Sequence, residues 1–189
     1  DINNFVDGIS VAKWNELIDD IHHPFTNKLI NGLYPPGSTI KMGAALSFLE
    51  NGIIGDDEII SCPEYIELGS RKFRDWKQGG HGYADTKRAI RRSVDVYFYK
   101  LSLKSGIDPI AKTLRQLGLG EKSGIDLPNE FIGVVPDTEW KKKRYKESWY
   151  VGETLVTSIG QGYFLTTPLQ IARYTATLAS GKLVQPHYV

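Results

Sequence analysis

A short apolar helix directly after a rigid turn sets the architecture of this chain. Two prolines and a glycine at 35–37 interrupt the backbone, and the segment 42–49 that follows is apolar on nearly every side. A helix without a polar face has to be buried all round, and this one is far shorter than the ~20 residues that cross a bilayer. We therefore predict that it lies at the centre of a globular domain and ends at Asn51-Gly52.

The remainder of the chain is predicted to be mostly helical, with loops and few strands, in one domain. Residues 55–85 are loop-rich with β-prone pieces at 59–60 and 65–66, and residues 121–160 are irregular. The predicted helices are an amphipathic one from an N-cap at Ser10 to Asp19, a basic one from Thr86 through Arg92 that continues along the apolar stretch 94–101, one from Asp108 to Leu117, and a last one from Thr167-Pro168 to Leu178.

The composition limits the classes of partner. The chain has 189 residues, 23 basic and 22 acidic, with a net charge of +1, so there is no electrostatic reason to expect nucleic acid. The dense basic run at 141–144 has acidic residues on both sides, which is typical of a solvated face. The one cysteine, Cys62, excludes a disulfide within the chain.

Ser38 and Lys41 have the spacing of an activated serine. A serine hydroxyl is a weak nucleophile until a base removes its proton, and residues three apart on a helix share a face. A serine at a helix N-terminus also meets free N–H groups that stabilise negative charge, while burial favours the neutral, basic form of a lysine. The rigid entry at 35–37 and the apolar helix after it predict both conditions.

This spacing is a weak signal by itself, since Ser10 and Lys13 have it too. We interpret Ser10 as an ordinary N-cap, because the polar face of its helix leaves Lys13 in water. For Ser38 the N-cap interpretation also stays open. The triplet Ser93-Val94-Asp95 strengthens the chemical interpretation, because Ser-x-x-Lys combined with such a second motif is found in serine enzymes that react with penicillin.

Eight segments spread over the chain carry a resemblance to a known family. They are FVDGIS at 5–10, YPPGSTIK at 34–41, FRDWK at 73–77, GHG at 80–82, SVD at 93–95, GIDL at 124–127, WYVGET at 149–154 and IGQGY at 159–163. In these segments and their order, the chain resembles the transpeptidase domain of the class B penicillin-binding proteins 2 of the cell-elongation machinery. The Arg-Asp-Trp and Gly-His-Gly segments favour this subgroup over its division-specific relatives.

The resemblance implies an α+β penicillin-binding transpeptidase fold, similar to that of the serine β-lactamases. Residues 1–189 would be a partial domain, mostly its helical part, with most of the antiparallel sheet missing. The family's third motif, Lys-Thr-Gly on a strand, does not occur in the sequence, and neither do the strands that precede residue 5 in the family. We expect this fragment to be catalytically incomplete, an expectation that labelling by fluorescent penicillin at the full-length rate would contradict.

The resemblance also implies an acyl-transfer chemistry. Ser38 would attack the D-Ala-D-Ala amide of a peptidoglycan stem peptide, with Lys41 as general base, Ser93 as proton relay and Asp95 as a hydrogen-bonding group. The Ser38 N–H would form half of the oxyanion hole, and β-lactams would be trapped as acyl-enzymes. No cofactor is required for this reaction.

The implied setting is the periplasmic face of the bacterial inner membrane, with an N-terminal transmembrane anchor outside this chain. Glycosyltransferase and scaffold proteins of the elongation complex would be partners.

A structural zinc site is a further hypothesis from the resemblance. Family members carry two aspartates, one histidine and one cysteine as zinc ligands in this region, and the family's cysteine would fall at Val94, which cannot coordinate. Asp75 and His81 match two of these positions, and Cys62 stands where the first aspartate would be. All three residue types bind zinc, although at these spacings they are equally compatible with unrelated loop residues.

Two other interpretations stay open at the level of the sequence. A serine β-lactamase or a penicillin-sensing domain shares the Ser-x-x-Lys chemistry and differs in how fast its acyl-enzyme is hydrolysed. A non-catalytic scaffold fragment would instead bind partners of the elongation machinery through exposed aromatic residues such as Trp14, Trp140 and Trp149.

Overall fold

The computed structural model describes residues 2–188, and within this range helices surround one central helix and are joined by two small antiparallel sheets. The α-helices are α1 (Val11–Asp19), α2 (Lys28–Asn31), α3 (Lys41–Glu50), α4 (Thr86–Arg91), α5 (Asp95–Ser105), α6 (Ile107–Gln116), α7 (Thr138–Tyr145), α8 (Val151–Ser158) and α9 (Pro168–Ser180). The strands are β1 (Ile60–Cys62), β2 (Tyr65–Leu68), β3 (Arg71–Arg74) and β4 (Gly82–Ala84). Short 3₁₀ turns occur at Ile2–Phe5 and Gly37–Ile40.

Helix α3 is the central helix that its apolar sequence predicts. Most of its residues are buried, and it packs against α5 and α6. The approach to α6 is close at Gly43, where a Cβ atom would lie 2.7 Å from Cδ2 of Leu114. The Gly43 N–H also donates a hydrogen bond to the buried hydroxyl of Tyr174 in α9. The expectation of burial on every side is wrong at Met42, which is exposed, and is met only in part at Leu46 and Leu49, which are half-buried.

The single helix expected from Thr86 along the stretch 94–101 is in fact two helices, α4 and α5. The break falls at Ser93, whose φ of +52° lies in the left-handed region that ends a helix. Val94 precedes α5 without a capping side chain. The carboxylate of Asp75 caps α5 instead, because its Oδ2 accepts the Val96 N–H at 3.2 Å.

The region expected to be irregular, 121–160, contains α7 and α8. Asp137 caps α7 by accepting the Trp140 N–H at 2.7 Å, and the Glu153 carboxylate accepts the Tyr150 N–H at the start of α8. Periodicity could not reveal α7, because its sequence is nearly all polar. The solvated-face prediction is wrong for Lys141, which is 1% exposed with its Nζ 2.5 Å from Oε1 of Glu153.

The two sheets lie next to the start of α5. Strand β1 pairs with β4, with Cys62 opposite Gly82, and β2 pairs with β3 as a hairpin. The β-prone pieces at 59–60 and 65–66 correspond to β1 and β2, whereas β3 and β4 were not expected. The connection from β3 to β4 carries Asp75 and His81, and it is fixed by the His81 N–H, which donates to the Cys62 carbonyl at 2.9 Å.

Within residues 2–188, none of the helices combines the length and the apolar character that crossing a bilayer requires.

Gly160 fixes the entry to the 3₁₀ turn before α3. Its carbonyl accepts the Gly37 N–H at 2.8 Å, its φ is +76°, and a Cβ there would lie 2.7 Å from the backbone N of Gly37. Gly160→Ala should therefore lower the free energy of unfolding by the ~1–2 kcal/mol of a left-handed alanine and, in addition, by the cost of displacing Gly37. The matched control is Gly162→Ala, because Gly162 has a φ of +71° but a Cβ there would meet nothing closer than 3.6 Å.

Thermal unfolding of the full-length protein measures the difference between these variants. We expect a clearly larger loss of Tm for Gly160→Ala than for Gly162→Ala. Equal losses would show that the contact with Gly37 does not constrain the turn.

Candidate active site

Ser38 is presented at the start of the central helix. It is the second residue of the 3₁₀ turn Gly37–Ile40, which runs directly into α3, and its side chain is exposed. The first N–H groups of a helix have no partner within the helix. The Ser38 N–H is therefore in a position to donate to an oxygen atom that approaches the hydroxyl.

Lys41 lies one turn later and is buried, with 2% of its side chain exposed. Its Nζ donates three hydrogen bonds, to the Ser93 carbonyl at 2.9 Å, to Ser93 Oγ at 3.0 Å and to Asp95 Oδ1 at 2.6 Å. The ring of Phe98 lies beneath it, with its centroid 5.4 Å from Nζ. An ammonium group has three donors, so every one of them is satisfied.

The surroundings of Lys41 act on its pKa in opposite directions. Burial lowers the pKa below the ordinary lysine value, while the hydrogen bond to Asp95 and the negative charges of Asp95 and Asp75 raise it. Burial is the larger effect, so the net pKa is lowered. A lysine with a lowered pKa is neutral for more of the time and can accept a proton.

Ser93 connects the nucleophile to the base. Its Oγ lies 2.8 Å from Ser38 Oγ and 3.0 Å from Lys41 Nζ. Among the described residues no hydrogen bond joins Lys41 Nζ directly to Ser38 Oγ. The structure thus brings all four predicted site residues together, Ser38, Lys41, Ser93 and Asp95, with Ser93 in the middle of the hydrogen-bond chain.

Trp76 is a contact of this site that the residue patterns did not identify. Its Nε1 donates to the Ser93 carbonyl at 3.0 Å and lies 3.2 Å from the Arg92 carbonyl. A left-handed conformation costs a non-glycine residue about 1–3 kcal/mol. Trp76 and Lys41 both donate to the carbonyl of Ser93, so they hold the residue in that conformation. No periodicity or spacing marks a tryptophan in a loop for such a contact.

Asp75 and His81 come together, but Cys62 does not join them as a ligand. His81 Nδ1 lies 3.1 Å from Asp75 Oδ1 without making a hydrogen bond, and the Asp75 oxygens accept the backbone N–H groups of Lys77 and Val96. The Cys62 thiol points to the Ile60 carbonyl at 3.4 Å, and burial raises its pKa to about 11.

Over residues 2–188 no group of three or more His, Cys, Asp or Glu side chains is placed to hold a metal. The Cys62 thiol is not directed at Asp75 and His81, and a zinc site at these three positions stays a prediction. The role that the contacts give to Asp75 is to cap α5 and orient its first residue, Asp95.

The second Ser-x-x-Lys segment behaves as the sequence predicts. Ser10 Oγ accepts the Lys13 N–H at 3.2 Å as the N-cap of α1, and Lys13 Nζ pairs with exposed Glu16 at 2.6 Å. Lys13 is not desolvated, so the segment lacks the environment that Lys41 has.

Comparisons with known proteins assign the family. The sequence matches the penicillin binding protein transpeptidase domain over residues 1–189, and the chain belongs to that family. It is 46% identical over 188 residues to the peptidoglycan D,D-transpeptidase MrdA of Acinetobacter baumannii. The aligned region covers 98% of this chain and 28% of that protein.

Solved structures show the same relationship. The fold is similar to that of the penicillin-binding protein PBP2 from Helicobacter pylori, with a TM-score of 0.95 and 56% identity over 99% of this chain and 36% of that chain. It is equally similar to PBP2 in a complex with MreC from Helicobacter pylori, with a TM-score of 0.95 and 56% identity over 99% of this chain and 35% of that chain. These comparisons confirm the expected fold, and the chain spans about a third of the length of these proteins.

Trp76→Phe tests the support of Ser93. The phenylalanine keeps an aromatic ring but removes the N–H donor, so Ser93 loses one of its two carbonyl contacts. A hydrogen bond of this kind contributes about 0.5–1.5 kcal/mol. We expect the rate of Ser38 acylation by a fluorescent penicillin, measured on full-length protein, to fall about fivefold. The matched control is Trp149→Phe, which removes a donor to Thr154 elsewhere in the fold. An equal fall in both variants would contradict a specific role.

Proposed function

We propose that the full-length protein is a serine D,D-transpeptidase that cross-links peptidoglycan stem peptides. The observation that carries this proposal is the hydrogen-bond chain from exposed Ser38 Oγ through Ser93 Oγ to buried Lys41 Nζ, with steps of 2.8 and 3.0 Å. The family of the chain and the name of its relative MrdA support the same activity.

Acylation uses this chain to move one proton. The Ser38 hydroxyl turns to donate to Ser93, and the Ser93 hydroxyl donates to neutral Lys41. As Ser38 Oγ attacks the carbonyl carbon of the D-Ala-D-Ala amide, the Ser38 proton passes to Ser93 and the Ser93 proton passes to Lys41. The Ser38 N–H donates to the oxyanion that forms.

Collapse of this intermediate returns the proton. The C–N bond breaks, Ser93 protonates the leaving amine, and Lys41 re-protonates Ser93, so that D-alanine leaves and an ester on Ser38 remains. The amine of a second stem peptide then attacks the ester and releases Ser38, with the same groups moving the proton in the opposite order. Asp95 pairs with Lys41 whenever that lysine is charged.

A β-lactam enters at the first step. Its ring amide acylates Ser38, but the leaving amine stays tethered to the acyl group and obstructs the second substrate. The resulting acyl-enzyme is slow to react further, and this property separates a transpeptidase from a serine β-lactamase.

The cellular setting is part of the proposal. We infer that the full-length protein works in cell-wall elongation at the periplasmic face of the inner membrane, anchored by a transmembrane helix outside this chain. The complex of the Helicobacter pylori relative with MreC supports a scaffold protein as a partner. A glycosyltransferase is the second expected partner, since cross-linking acts on newly made strands.

Ser38→Ala and Ser10→Ala form a matched pair for the nucleophile, because each serine begins a Ser-x-x-Lys segment. In the full-length protein, fluorescent penicillin should label Ser10→Ala at the unmodified rate and should not label Ser38→Ala. The label should persist for hours after excess penicillin is removed. Label on Ser38→Ala would exclude Ser38 as the nucleophile, and loss of the label within seconds would favour a β-lactamase.

Asp95→Asn tests how the base is controlled. Asp95 raises the pKa of Lys41 against the effect of burial. The uncharged asparagine side chain removes this effect, so the pKa of Lys41 should be lower in the variant than in the unmodified protein. Lys41 acts as a base only when it is neutral. The rate of Ser38 acylation therefore falls as the pH drops through the pKa of Lys41. The acid limb of the acylation rate should therefore move to lower pH in Asp95→Asn.

The charge-matched control for this variant is Asp56→Asn, at an exposed residue in the loop after α3. It should leave the acid limb in place. A limb that stays fixed or moves to higher pH in Asp95→Asn would show that Lys41 is not the titrating base.

A further inference from the structure

A basic cleft beside Ser93 takes no part in the proton transfers described above. It is open to solvent, with a volume of about 620 Å³. Its lining includes the cations Lys77, Arg88, Arg91 and Arg92, together with Trp76 and Ser93. The cleft therefore adjoins both Ser93, which relays the proton, and Trp76, which holds the backbone of Ser93.

The four cations have no carboxylate partner in the part of the chain that the structure describes. Each is exposed, and none of the ion pairs between residues 2 and 188 includes one of them. Among the described residues, the Arg88 guanidinium donates only to the His81 carbonyl, at 3.3 Å. Nearby Asp75 is buried and caps α5, and the Asp85 carboxylate accepts the Arg88 backbone N–H as the cap of α4.

The buried cations among residues 2–188 are paired with carboxylates, in contrast to the exposed cations of the cleft. Lys141 is neutralised by Glu153, and Arg173 by Glu121. Four positive charges around a concave surface focus a positive potential there and attract anions. Arginine also binds carboxylates through two parallel hydrogen bonds.

The position of the cleft indicates which substrate would meet it. In the proposed mechanism Ser93 protonates the leaving amine. By microscopic reversibility, the amine that attacks the acyl-enzyme approaches from the same side and gives its proton to the same hydroxyl. The cations around Ser93 therefore border the route of the acceptor strand.

We propose that this cleft binds a free carboxylate of the acceptor peptide and so selects and orients the second substrate. Arg91 and Arg92, which immediately precede Ser93, are its main contacts, with Lys77 and Arg88 contributing charge. This inference rests on the proposed transpeptidase function and adds to it the chemical class of acceptor: a peptide amine that carries a carboxylate.

The test measures how the acyl-enzyme partitions between water and an acceptor. A thioester donor peptide acylates Ser38 in the full-length protein, and two acceptor peptides are compared that differ only in a free or an amidated carboxylate. For the double variant Arg91→Gln, Arg92→Gln, we expect the KM of the carboxylate acceptor to rise about tenfold. The KM of the amidated acceptor should change less than twofold.

The control carries the same loss of charge in a different place. Lys142→Gln with Lys143→Gln removes two cations from α7, where they share their surface with Glu139. This variant should leave the ratio of the two acceptors unchanged.

The outcomes separate this inference from the proposed function. If the unmodified protein forms no acyl-enzyme, the proposed function fails and the inference fails with it. If the acyl-enzyme forms but the double variant affects both acceptors equally, or the control variant has the same effect, the inference alone is overturned.

Discussion

The site depends on one buried cation, the Nζ of Lys41. Taking an ammonium group out of water costs several kcal/mol unless it is paired and fully hydrogen-bonded. The fold meets this requirement with two acceptors from Ser93 and one from Asp95, all on a segment more than 50 residues away. The same three contacts place Ser93 Oγ between the lysine and Ser38. The hydrogen bonds that stabilise Lys41 in the interior therefore also form part of the path for proton transfer.

These contacts require the chain to break between α4 and α5, and the neighbouring loop holds that break. Trp76 donates to the carbonyl of left-handed Ser93, and Asp75 caps α5 so that Asp95 begins the helix facing Lys41. The ends of this loop are fixed by two hydrogen bonds, from the Asp75 N–H to the Glu64 carbonyl and from the His81 N–H to the Cys62 carbonyl. Asp75 and His81, which the resemblance suggests as metal ligands, also make contacts that support the site.

The two sides of Ser93 differ in character. Toward Lys41 the surroundings are buried, and this burial favours a neutral base against the opposing charge of Asp95. Toward Arg91 and Arg92 they are open and positively charged, which favours an anionic partner. A single hydroxyl thus lies between a site suited to proton transfer and a surface suited to selecting a substrate.

The sequence by itself determined the elements whose signals are local. The apolar pattern after 35–37 identified α3, the side chains of Ser10 and Thr167 marked the N-caps of α1 and α9, and the spacing of Ser38 and Lys41 placed the two on one face. The second motif added Ser93 and Asp95, and the family resemblance made Ser93 a proton relay, but neither gave the contacts of these residues with Lys41. Only the tertiary structure decided that Ser93 stands between the two, that Trp76 supports it, that Lys141 is buried, and that four cations share one cleft. The physical reason is that a helix face or a cap is fixed by neighbours three or four residues away. The contacts of Ser93, Trp76 and the cleft depend instead on how the loops between 51 and 95 fold back onto α3, and the burial of Lys141 depends on how α7 packs beside Glu153 in α8.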